Sequence, residues 1–423
     1  MKTYLDLNRE ERQALLAELR SEYNGYLGRG LSLDLSRGKP NSSQLDISLG
    51  LMSVDLTDDY RSESGFDCRN YGLLDGLPEM KRFFAEVYGV KADDIVVGGN
   101  SSLQLEYMTL TSAMLFGLYG SPRPWCREEG LKWICTTPGY DRHFRITERL
   151  GFELIGVPMV DGQPDMDKIE ELVKDPTVKG IWCVPKYSNP SGSTYSDETV
   201  RRLASMECAA PDFVVMWDNA YAVHDFDTDG DELADIFLEA EKCGNKDRIL
   251  YYSSTSKITF PGGGVAFLAA SENQRARIIS AFSAETIGFD KLNQLRHLRY
   301  FGNAENLRAH MLKLGALIKG KFDIALKELD TVKGLGIASW TEPRGGYFIS
   351  LELMEGTAKR TYELVMNAGV MLTAVGATHP YGVDPTDSCI RLAPTYPSDD
   401  ELSVAMRVLT LAIKIAALEK LNA

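Results

Sequence analysis

The sequence is poor in the residues that build metal sites and disulfide scaffolds. It has five histidines in 423 residues, and no two of them form an H-x-x-x-H pattern. Its seven cysteines are scattered, without a C-x-x-C pair. Regular histidine and cysteine spacings are typical of zinc sites, and paired cysteines are typical of secreted disulfide-rich domains. We therefore predict no metal site, and we expect a reduced, cytoplasmic protein.

Positive charge and long apolar runs are also lacking. Lys and Arg number 46 against 60 Asp and Glu, a formal net charge of -14. This argues against binding to nucleic acid or to an anionic membrane. No apolar run approaches the ~20 residues of a membrane-spanning helix, and the late stretch VLTLAIKIAAL is interrupted by Lys414. The start, MKTYLDLNREERQALLAELR, is too acidic and polar for a signal peptide.

The chain does contain a regular alternation of short apolar segments and amphipathic ones. Residues from about Arg9 to Tyr23 are typical of a helix, and strand-like segments follow from about Lys91, among them DDIVVGG, KWICTTP, GIWCVP, DFVVMWD and RILYYSS. Helix-like segments separate most of them, and Ser196 is the expected N-cap of one. This pattern indicates an α/β fold with a mostly parallel sheet covered on both faces.

The last third of the chain has a different pattern. A long helical segment begins near Glu305 and is followed by strand-like GYFISLEL and CIRLAP, with a final helix from Asp399. We predict a second, smaller α+β domain here. The expected division is an N-terminal helix and arm in residues 1–50 that join the small domain, a large domain in residues 51–303 and a small domain in residues 304–423.

Polar residues follow several of the predicted strands. Asp218 ends DFVVMWD, Lys257 follows RILYYSS, and Asn100-Ser101-Ser102 follows IVVGG at the start of a helix. Ligands bind beyond the carboxyl ends of the strands in open α/β sheets, so these residues are candidates for a binding site. Each also has an ordinary structural interpretation, as a turn-forming acid, a surface lysine and a helix N-cap.

The lysine stands in STSKITFPGGGVAF, residues 254–267. A P-loop is excluded, because that motif has its glycines before the lysine and Ser or Thr directly after it. Here the glycines follow Lys257, and the next residue is Ile258.

Taken together, the candidates suit one cofactor. Pyridoxal phosphate needs a lysine for a Schiff base and a carboxylate that keeps its pyridine nitrogen protonated. Phenol and amide groups bond its ring oxygen, and a helix N-terminus binds its phosphate. The predicted strand ends supply such groups, namely Lys257, Asp218, Tyr221, Asn189 and the helix that begins at Asn100-Ser101-Ser102.

The motifs LSRGKP, NYGLLDGLPEMK, SNPSG, WDNAY, SSTSK, KLNQLRH and IRLAPTYP resemble those of a known family. They are similar to fold-type I, pyridoxal-phosphate-dependent aminotransferases of the aspartate aminotransferase superfamily, and more narrowly to its MocR-type branch. The resemblance extends from about Leu33 to Pro397. It implies the PLP-transferase fold with a seven-stranded-type sheet, and a homodimer with shared active sites.

The resemblance also implies a role for each matched residue. Lys257 matches the Schiff-base lysine and proton shuttle, Asp218 the acid that pairs with the pyridinium, and His143 a histidine that supports this acid. Tyr71 matches a tyrosine that reaches the phosphate from the neighbouring subunit. The implied catalytic residues are Lys257, Asp218 and Tyr221; the implied cofactor-binding residues are Tyr71, Ser101, Ser102, Tyr140, Asn189, Asp218, Tyr221, Ser254 and Lys257; and the implied substrate-binding residues are Arg37, Gly38, Asn189 and Arg391.

The substrate residues follow from carboxylate chemistry and the resemblance together. Arg391 lies in an apolar strand, where an unpaired charge is costly, and a guanidinium pairs with a carboxylate through two hydrogen bonds. It matches the clamp for the substrate α-carboxylate, and a structural ion pair is the alternative. Aspartate or glutamate needs a second cation, for which Arg37, Lys291 and Arg296 are candidates. We favour Arg37 because it adjoins a matched substrate-lining glycine.

One departure from the family pattern concerns the phosphate. Many relatives have a phosphate-binding arginine seven or eight residues after the Schiff-base lysine, where this chain has Gly264 and Val265. Lys291 or Arg37 could replace that charge, or hydroxyls and backbone N–H groups could suffice.

The expected activity is reversible transamination between an amino acid and a 2-oxo acid, with ping-pong kinetics. A pyridoxal-phosphate-dependent lyase or decarboxylase on the same fold is the first alternative. A MocR-like regulator is disfavoured because only about 30 residues precede the first matched motif. They are too few for a winged-helix domain and carry no excess of positive charge. The third alternative is an α/β binding protein without a cofactor.

Overall fold

The computed structural model describes residues 3–423; Met1 and Lys2, which fall in the predicted N-terminal arm, lie outside the described residues. The strands of the described chain are β1 Leu33–Asp34, β2 Ile95–Val97, β3 Lys132–Thr137, β4 Glu153–Val160, β5 Gln163–Pro164, β6 Val178–Cys183, β7 Val214–Asp218, β8 Ile249–Ser254, β9 Ala266–Ala270, β10 Ala338–Trp340, β11 Ile349–Leu353, β12 Val370–Met371 and β13 Cys389–Leu392. The α-helices are α1 Arg9–Asn24, α2 Ser42–Asp46, α3 Pro78–Tyr88, α4 Ser102–Phe116, α5 Asp141–Arg149, α6 Met166–Leu172, α7 Asp197–Ser205, α8 Ile236–Lys242, α9 Glu272–Phe282, α10 Lys291–Phe301, α11 Ala304–Leu329, α12 Ala358–Asn367 and α13 Asp399–Asn422.

Eight strands form one large sheet, in the order β2-β9-β8-β7-β6-β3-β4-β5. Strands β8, β7, β6, β3 and β4 are parallel to their neighbours in this run. Strand β9 is antiparallel to both β2 and β8, and the two-residue strand β5 is antiparallel to β4 at the edge. The prediction of a mostly parallel sheet in an α/β fold is confirmed, and β5 adds an eighth, very short strand to the seven-stranded type.

The large sheet is buried on both faces. In β7, Val214 and Met216 belong to one apolar cluster, and Val215 and Trp217 belong to the other. Because successive side chains in a strand point to opposite faces, both faces need apolar residues, which explains the continuous apolar runs in the sequence. Helices α4 and α9 contribute to one cluster, and α3, α6, α7 and α8 contribute to the other.

The parallel strands bring their carboxyl ends to one edge of the sheet. Strand β7 ends there with Asp218, and β8 leads there to Lys257. The chain also leaves β6 toward Asn189 and β3 toward Tyr140 at this edge. Strand β2 has the same direction, because it is antiparallel to β9, which is antiparallel to β8. It therefore delivers Asn100 to the same edge.

The C-terminal part of the chain carries a second, antiparallel sheet in the order β10-β11-β13. The N-terminal segment joins this part of the molecule. Strand β1 pairs with β12, with Leu33 opposite Val370, and Arg20 of α1 forms an ion pair of 2.9 Å with Glu419 of α13. The segment after β1 is thereby held beside β13, since the Ala393 N–H donates to the Leu35 carbonyl oxygen. The domain boundaries at residues 50 and 303 stay a prediction.

Most of the elements predicted from the pattern are present. The Ser196 hydroxyl accepts a hydrogen bond from the Thr199 N–H at 3.2 Å and caps α7, as expected. Helix α1 ends at Asn24, one residue beyond the predicted end. Within residues 3–423, no helix is both long and apolar enough to cross a membrane.

A buried ion pair lies at the start of the central strand β6. The Lys179 side chain is 2 % exposed, and its Nζ is 2.8 Å from Asp212 Oδ1 and 2.8 Å from Glu128 Oε2. Asp212 Oδ2 also accepts from the Trp125 indole N–H at 2.6 Å. Lys179 thus compensates the negative charge of two carboxylates, one of them fully buried.

We predict that Lys179→Met lowers the free energy of unfolding by ~3–5 kcal/mol, because it leaves a buried carboxylate without its cation. Urea unfolding of the variant and the wild type measures this difference. Lys174→Met is the matched control, since Lys174 pairs with Glu171 on the surface and such pairs contribute less than ~1 kcal/mol. Equal losses in the two variants would contradict the interpretation.

Candidate active site

A cavity of about 540 Å³ lies where the carboxyl edge of the large sheet meets the second sheet and the segment after β1. Strand β7 and the loop after β8 line it from one side, and β13 lines it from the other. Its lining residues are Ser36, Arg37, Gly38, Lys39, Tyr140, Asp141, Arg142, Val184, Asn189, Asp218, Ala220, Tyr221, Lys257, Phe348, Tyr362, Leu372, Thr373, Ala374 and Arg391.

The predicted acid, Asp218, is held on one side and open on the other. It is 3 % exposed, and its Oδ2 is 3.2 Å from His143 Nε2. Its second oxygen, Oδ1, is buried without a hydrogen-bond partner among the described residues. A buried carboxylate oxygen without a donor is costly. Asp218 therefore fits a ligand that brings an N–H donor into the cavity.

A second carboxylate, which the sequence did not reveal, stands behind His143. Glu106 of α4 is 0 % exposed, and its Oε2 is 3.3 Å from His143 Nε2. Burial, followed by the charge of Asp218, raises the pKa of Glu106. Burial alone would lower the pKa of His143, but the two carboxylates outweigh it and raise that pKa. The His143 ring also stacks on Trp182, with ring centroids 4.3 Å apart.

Lys257 and Tyr221 lie side by side in the cavity. Lys257 Nζ is 4.8 Å from the centroid of the Tyr221 ring, within the range of a cation–π contact. Tyr221 is 2 % exposed, and burial raises the pKa of its phenol. The phenol therefore stays protonated and can donate a hydrogen bond. Asn189, the predicted amide partner, lines the same cavity.

Two buried histidines bond the backbone of the lysine loop. His224 Nε2 donates to the carbonyl oxygen of Lys257 at 3.3 Å, and His310 Nε2 donates to that of Ile258 at 2.8 Å. Burial, and then the charge of Lys257, lowers the pKa of His224 to about 3. Burial also lowers the pKa of His310. Both rings are therefore neutral at neutral pH and orient the loop without adding charge.

A third histidine fixes the two threonines that flank the lysine. His297 Nδ1 donates to the Asn293 carbonyl oxygen at 2.9 Å, so its Nε2 is an acceptor. Nε2 lies 3.2 Å from the Thr255 hydroxyl and 3.0 Å from the Thr259 hydroxyl. Protonation of Nε2 would remove this acceptor, and burial lowers the pKa of His297 to about 4. No sequence spacing links these histidines to Lys257, so pattern reasoning missed them.

The predicted phosphate site lies at the start of α4. The Ser101 hydroxyl caps this helix by accepting from the Gln104 N–H at 3.4 Å, and Ser102 is its first residue. The Ser254 hydroxyl donates to the Ser256 hydroxyl at 3.0 Å, which donates to the Asn100 carbonyl oxygen at 2.8 Å. Ser256, which the sequence analysis did not select, therefore connects the predicted serine to the helix start.

The structure also explains why this chain has Gly264 at a position where many relatives have a phosphate-binding arginine. A Cβ atom at this position would lie 2.8 Å from the Asn100 carbonyl oxygen and 3.2 Å from the Ser256 amide nitrogen. The backbone of the loop thus approaches the helix start too closely for an arginine. Arg296 lines a second cavity of about 400 Å³ together with Asn100 and Gly264, whereas the amine of Lys291 donates to the Phe289 carbonyl oxygen at 3.3 Å.

Arg391 forms the ion pair that the sequence left open as the alternative. It is 7 % exposed, and its Nη1 is 2.9 Å from Asp141 Oδ1. Nη1 also donates to Asn189 Oδ1 at 3.3 Å, and Nη2 donates to the Thr373 hydroxyl at 3.1 Å. Asp141 lines the same cavity, so the ion pair lies inside it and is accessible to a competing carboxylate.

The segment after β1 brings two further predicted residues into the cavity. Arg37 lines it, and among residues 3–423 the Arg37 guanidinium has no hydrogen bond or ion pair. Gly38 packs against Phe348, whose Cζ would be 2.5 Å from a Cβ at position 38. Arg142, which the sequence analysis did not select, also lines the cavity.

Tyr71 lies apart from this group. It is 77 % exposed and does not line the cavity in the described chain. The next residue, Gly72, contacts the segment before α10, since its carbonyl oxygen would be 2.6 Å from a Cβ at Gly288. Ile287, which precedes Gly288, is also exposed, at 61 %.

The fold and this set of side chains together define the class of fold-type I aminotransferases, whose cofactor is pyridoxal phosphate. The residues present fit that cofactor, because Asp218 lines the cavity beside Lys257 and its buried Oδ1 has no partner among the described residues.

Comparison with known proteins identifies the family within this class. Residues 7–423 match the family described as aspartate amino-transferase. The chain is 44 % identical over 403 residues to an aspartate aminotransferase of Corynebacterium glutamicum, covering 95 % of this chain and 93 % of that one. It is 46 % identical over 417 residues to an aminotransferase of Mycolicibacterium smegmatis, covering 97 % of both. The chain therefore belongs to the aspartate amino-transferase family.

Solved structures agree with this assignment. The crystal structure of an aspartate transaminase from Corynebacterium glutamicum superimposes with a TM-score of 0.96 at 43 % identity, covering 99 % of each chain. The α-aminoadipate aminotransferase LysN of Thermus thermophilus, complexed with N-(5'-phosphopyridoxyl)-L-leucine, has the same fold, with a TM-score of 0.74 at 21 % identity, covering 94 % of this chain and 95 % of that one.

The neutral histidines that contact the loop around Lys257 predict that the folded protein loses stability in acid. Their pKa values are lower in the folded chain than the ordinary value near 6.5, so the unfolded chain binds more protons below pH ~6.5. The stability present above this pH should fall as the pH drops toward 4, by ~1.4 kcal/mol per pH unit for each histidine. His297→Gln should make this slope shallower by about the same amount. Urea unfolding at a series of pH values measures the slope, and an unchanged slope would contradict the interpretation.

Proposed function

We propose that this chain transfers the amino group of aspartate or glutamate to a 2-oxo acid by a ping-pong reaction that uses pyridoxal phosphate. The observation that carries the proposal is the arrangement of one cavity. The Lys257 amine, the free oxygen of Asp218 and the Arg391 guanidinium all belong to its lining. These groups are the base, the acid partner of the ring nitrogen and the carboxylate receptor that transamination needs.

The residues that would hold the cofactor ring line this cavity, and those that would hold its phosphate lie at the start of α4, at the end of β8 and in the loop after β8. Asp218 Oδ1 would accept the N–H of the pyridinium, and the protonated phenol of Tyr221 and the amide of Asn189 would bond the ring oxygen. The hydroxyls of Ser254 and Ser256 and the helix start at Ser101 and Ser102 would receive the phosphate. When bound, pyridoxal phosphate supplies an aldehyde that condenses with amines and a ring that stabilises negative charge on the α-carbon of the amino acid.

Lys257 is the proposed base of the reaction. Once the substrate amine has taken the place of the Lys257 amine on the cofactor, the freed lysine would take the proton from the α-carbon of the substrate. Its position is set by the histidines that bond the loop backbone, His224 and His310. Because the backbone of the loop is held in place, the Lys257 amine is positioned for proton transfer.

Arg391 is the proposed receptor of the α-carboxylate. Its guanidinium can form two parallel hydrogen bonds with a carboxylate, but in this structure Asp141 occupies it. The substrate carboxylate would therefore displace Asp141, whose other oxygen is already 4.0 Å from Arg142 Nε. Arg37, which has no partner among the described residues, is the proposed receptor of the distal carboxylate of aspartate or glutamate.

A cytoplasmic homodimer is the proposed assembly. The aromatic ring of Tyr71 is 77 % exposed, and the backbone of the next residue, Gly72, packs against Gly288, so Tyr71 is available to a neighbouring subunit. In a dimer, Tyr71 would reach the phosphate of the neighbouring subunit. The seven cysteines are free, as the reducing cytoplasm requires.

Lys257→Ala tests the proposal directly. We expect it to abolish the visible absorbance of the lysine-bound cofactor and to lower kcat by at least ~10²–10⁴-fold, because the base and the covalent anchor are lost. Absorbance spectra and an assay with aspartate and 2-oxoglutarate measure the two effects. Lys174→Ala, an exposed lysine, is the control. Undiminished turnover in the Lys257 variant would refute the mechanism, and release of ammonia without a second amino acid would indicate lyase chemistry.

Asp141→Asn tests the competition at Arg391. Because the substrate must displace the Asp141 carboxylate, the neutral variant should bind carboxylates more tightly, and KM for aspartate should fall by up to about fivefold. Steady-state kinetics measure KM, and Asp167→Asn, whose side chain is 89 % exposed in a surface pair, is the control. A rise in KM would mean that Asp141 orients Arg391 for the substrate and does not compete with it.

A further inference from the structure

Glu106 is a fully buried carboxylate that the proposed reaction has not used. It is 0 % exposed, and neither of its oxygens has a conventional hydrogen bond among the described residues. Its close charged contact is with His143, at 3.3 Å. Burying an ionisable group without full compensation is costly. A residue kept in this position at such a cost points to a role in the site.

The geometry places one imidazole nitrogen between two carboxylates. His143 Nε2 is 3.2 Å from Asp218 Oδ2 and 3.3 Å from Glu106 Oε2. One side-chain oxygen or nitrogen atom from each of these three residues lies within 4.8 Å of the other two. The hydrogen bond of this nitrogen goes to Asp218, while the Glu106 carboxylate lies beside the same nitrogen as a charge contact. Asp218 lines the cavity, whereas Glu106 does not.

Charge balance explains what the second carboxylate adds. If Asp218 were the only acid, a protonated His143 would neutralise it and weaken its attraction for a pyridinium. If His143 were neutral, the attraction would remain, but its N–H would stabilise the buried carboxylate less than a protonated imidazole does. With Glu106 present, His143 can be protonated while the three-residue cluster keeps net negative charge next to the cavity.

The groups around Glu106 act on its charge in opposite directions, and burial and Asp218 together raise its pKa. The titratable and charged groups that act on Glu106 are His143 from α5, Asp218 from β7, Tyr252 from β8 and Lys257 from the following loop. The two cations favour its charged form and oppose burial and Asp218, which favour its neutral form. The carboxylates in turn raise the pKa of His143 against the effect of burial.

We propose that Glu106 is a positioning residue that keeps His143 protonated and thereby leaves Asp218 with negative charge to hold the ring nitrogen of pyridoxal phosphate. This inference rests on the proposed function, since it concerns the cofactor of that reaction. Glu106 acts through His143 and Asp218 and contacts neither cofactor nor substrate.

The first test measures the protonation of His143 in the full-length protein loaded with pyridoxal phosphate. Glu106→Gln keeps the shape and removes the charge, so the pKa of His143 should fall by about one pKa unit or more. NMR titration of labelled histidines measures it, and a His143→Asn variant assigns the signal. Glu106→Asp, which keeps the charge, should restore much of the value. An unchanged pKa of His143 in Glu106→Gln would overturn the proposal.

The second test asks whether Glu106 acts on the ring nitrogen. Glu106→Gln should weaken binding of pyridoxal phosphate by roughly tenfold, the factor equivalent to one pKa unit. It should leave unchanged the binding of an analogue in which carbon replaces the ring nitrogen, because Asp218 has no charge to hold there. Equal weakening for both molecules would indicate a merely structural role and overturn the proposal. Glu352→Gln is the control, since Glu352 of β11 is a partly buried carboxylate bonded to Ser388.

The outcomes also separate this inference from the proposed function. If the wild-type protein does not bind pyridoxal phosphate, the proposed function fails. If the wild type binds it and Glu106→Gln binds it equally well, only the role of Glu106 fails. A third outcome concerns a metal ion, which three such ligands could bind. If Zn²⁺ shifts the signals of His143 in the wild type and not in Glu106→Gln, the cluster is a metal site and the proposal is overturned.

Discussion

The parallel alignment of β8, β7, β6 and β3 is the constraint on which the site depends. Parallel pairing makes these strands end at one edge, so residues far apart in the sequence leave the sheet at the same place. Asp218 and Lys257 come together because β7 and β8 are neighbours in register. Strand β9 is antiparallel to both β8 and β2, so β2 has the same direction as β8. Strand β2 therefore brings the start of α4 to this edge. Loss of this alignment would separate every group of the site.

The charged groups around the cavity divide into those that are compensated inside the protein and those left for ligands. Lys179 and Asp212 satisfy each other beneath the sheet, and His143 joins two carboxylates behind the cavity. Asp218 Oδ1 and the Arg37 guanidinium, in contrast, have no partner within residues 3–423. Arg391 is intermediate, since its partner Asp141 lies in the cavity and can be displaced. The proposed recognition of a cofactor and a dicarboxylic substrate requires this division.

The few histidines of the chain show why the site could be predicted only in part. Asp218, Tyr221, Asn189 and Lys257 follow apolar strands, and their order in short motifs made them recognisable. His143 was recognised by its spacing from Tyr140. Glu106, His297 and His310 lie on helices whose faces toward the site are decided by packing. Their contacts with His143, Thr255 and Ile258 span 37, 42 and 52 positions of the sequence, respectively. No local pattern encodes such pairs, because side-chain contact across elements depends on register and crossing.

The sequence by itself determined the alternation of strands and helices, the set of candidate cofactor residues at the strand ends and the absence of an arginine at the two positions seven and eight residues after Lys257. These properties are local, since they depend on hydrophobic periodicity and on short motifs. The tertiary structure decided that Arg391 faces Asp141, that Glu106 lies 3.3 Å from His143 Nε2, and that Gly264 packs against the Asn100 backbone. Each of these depends on the distance between separate elements, which packing sets and no stretch of sequence contains.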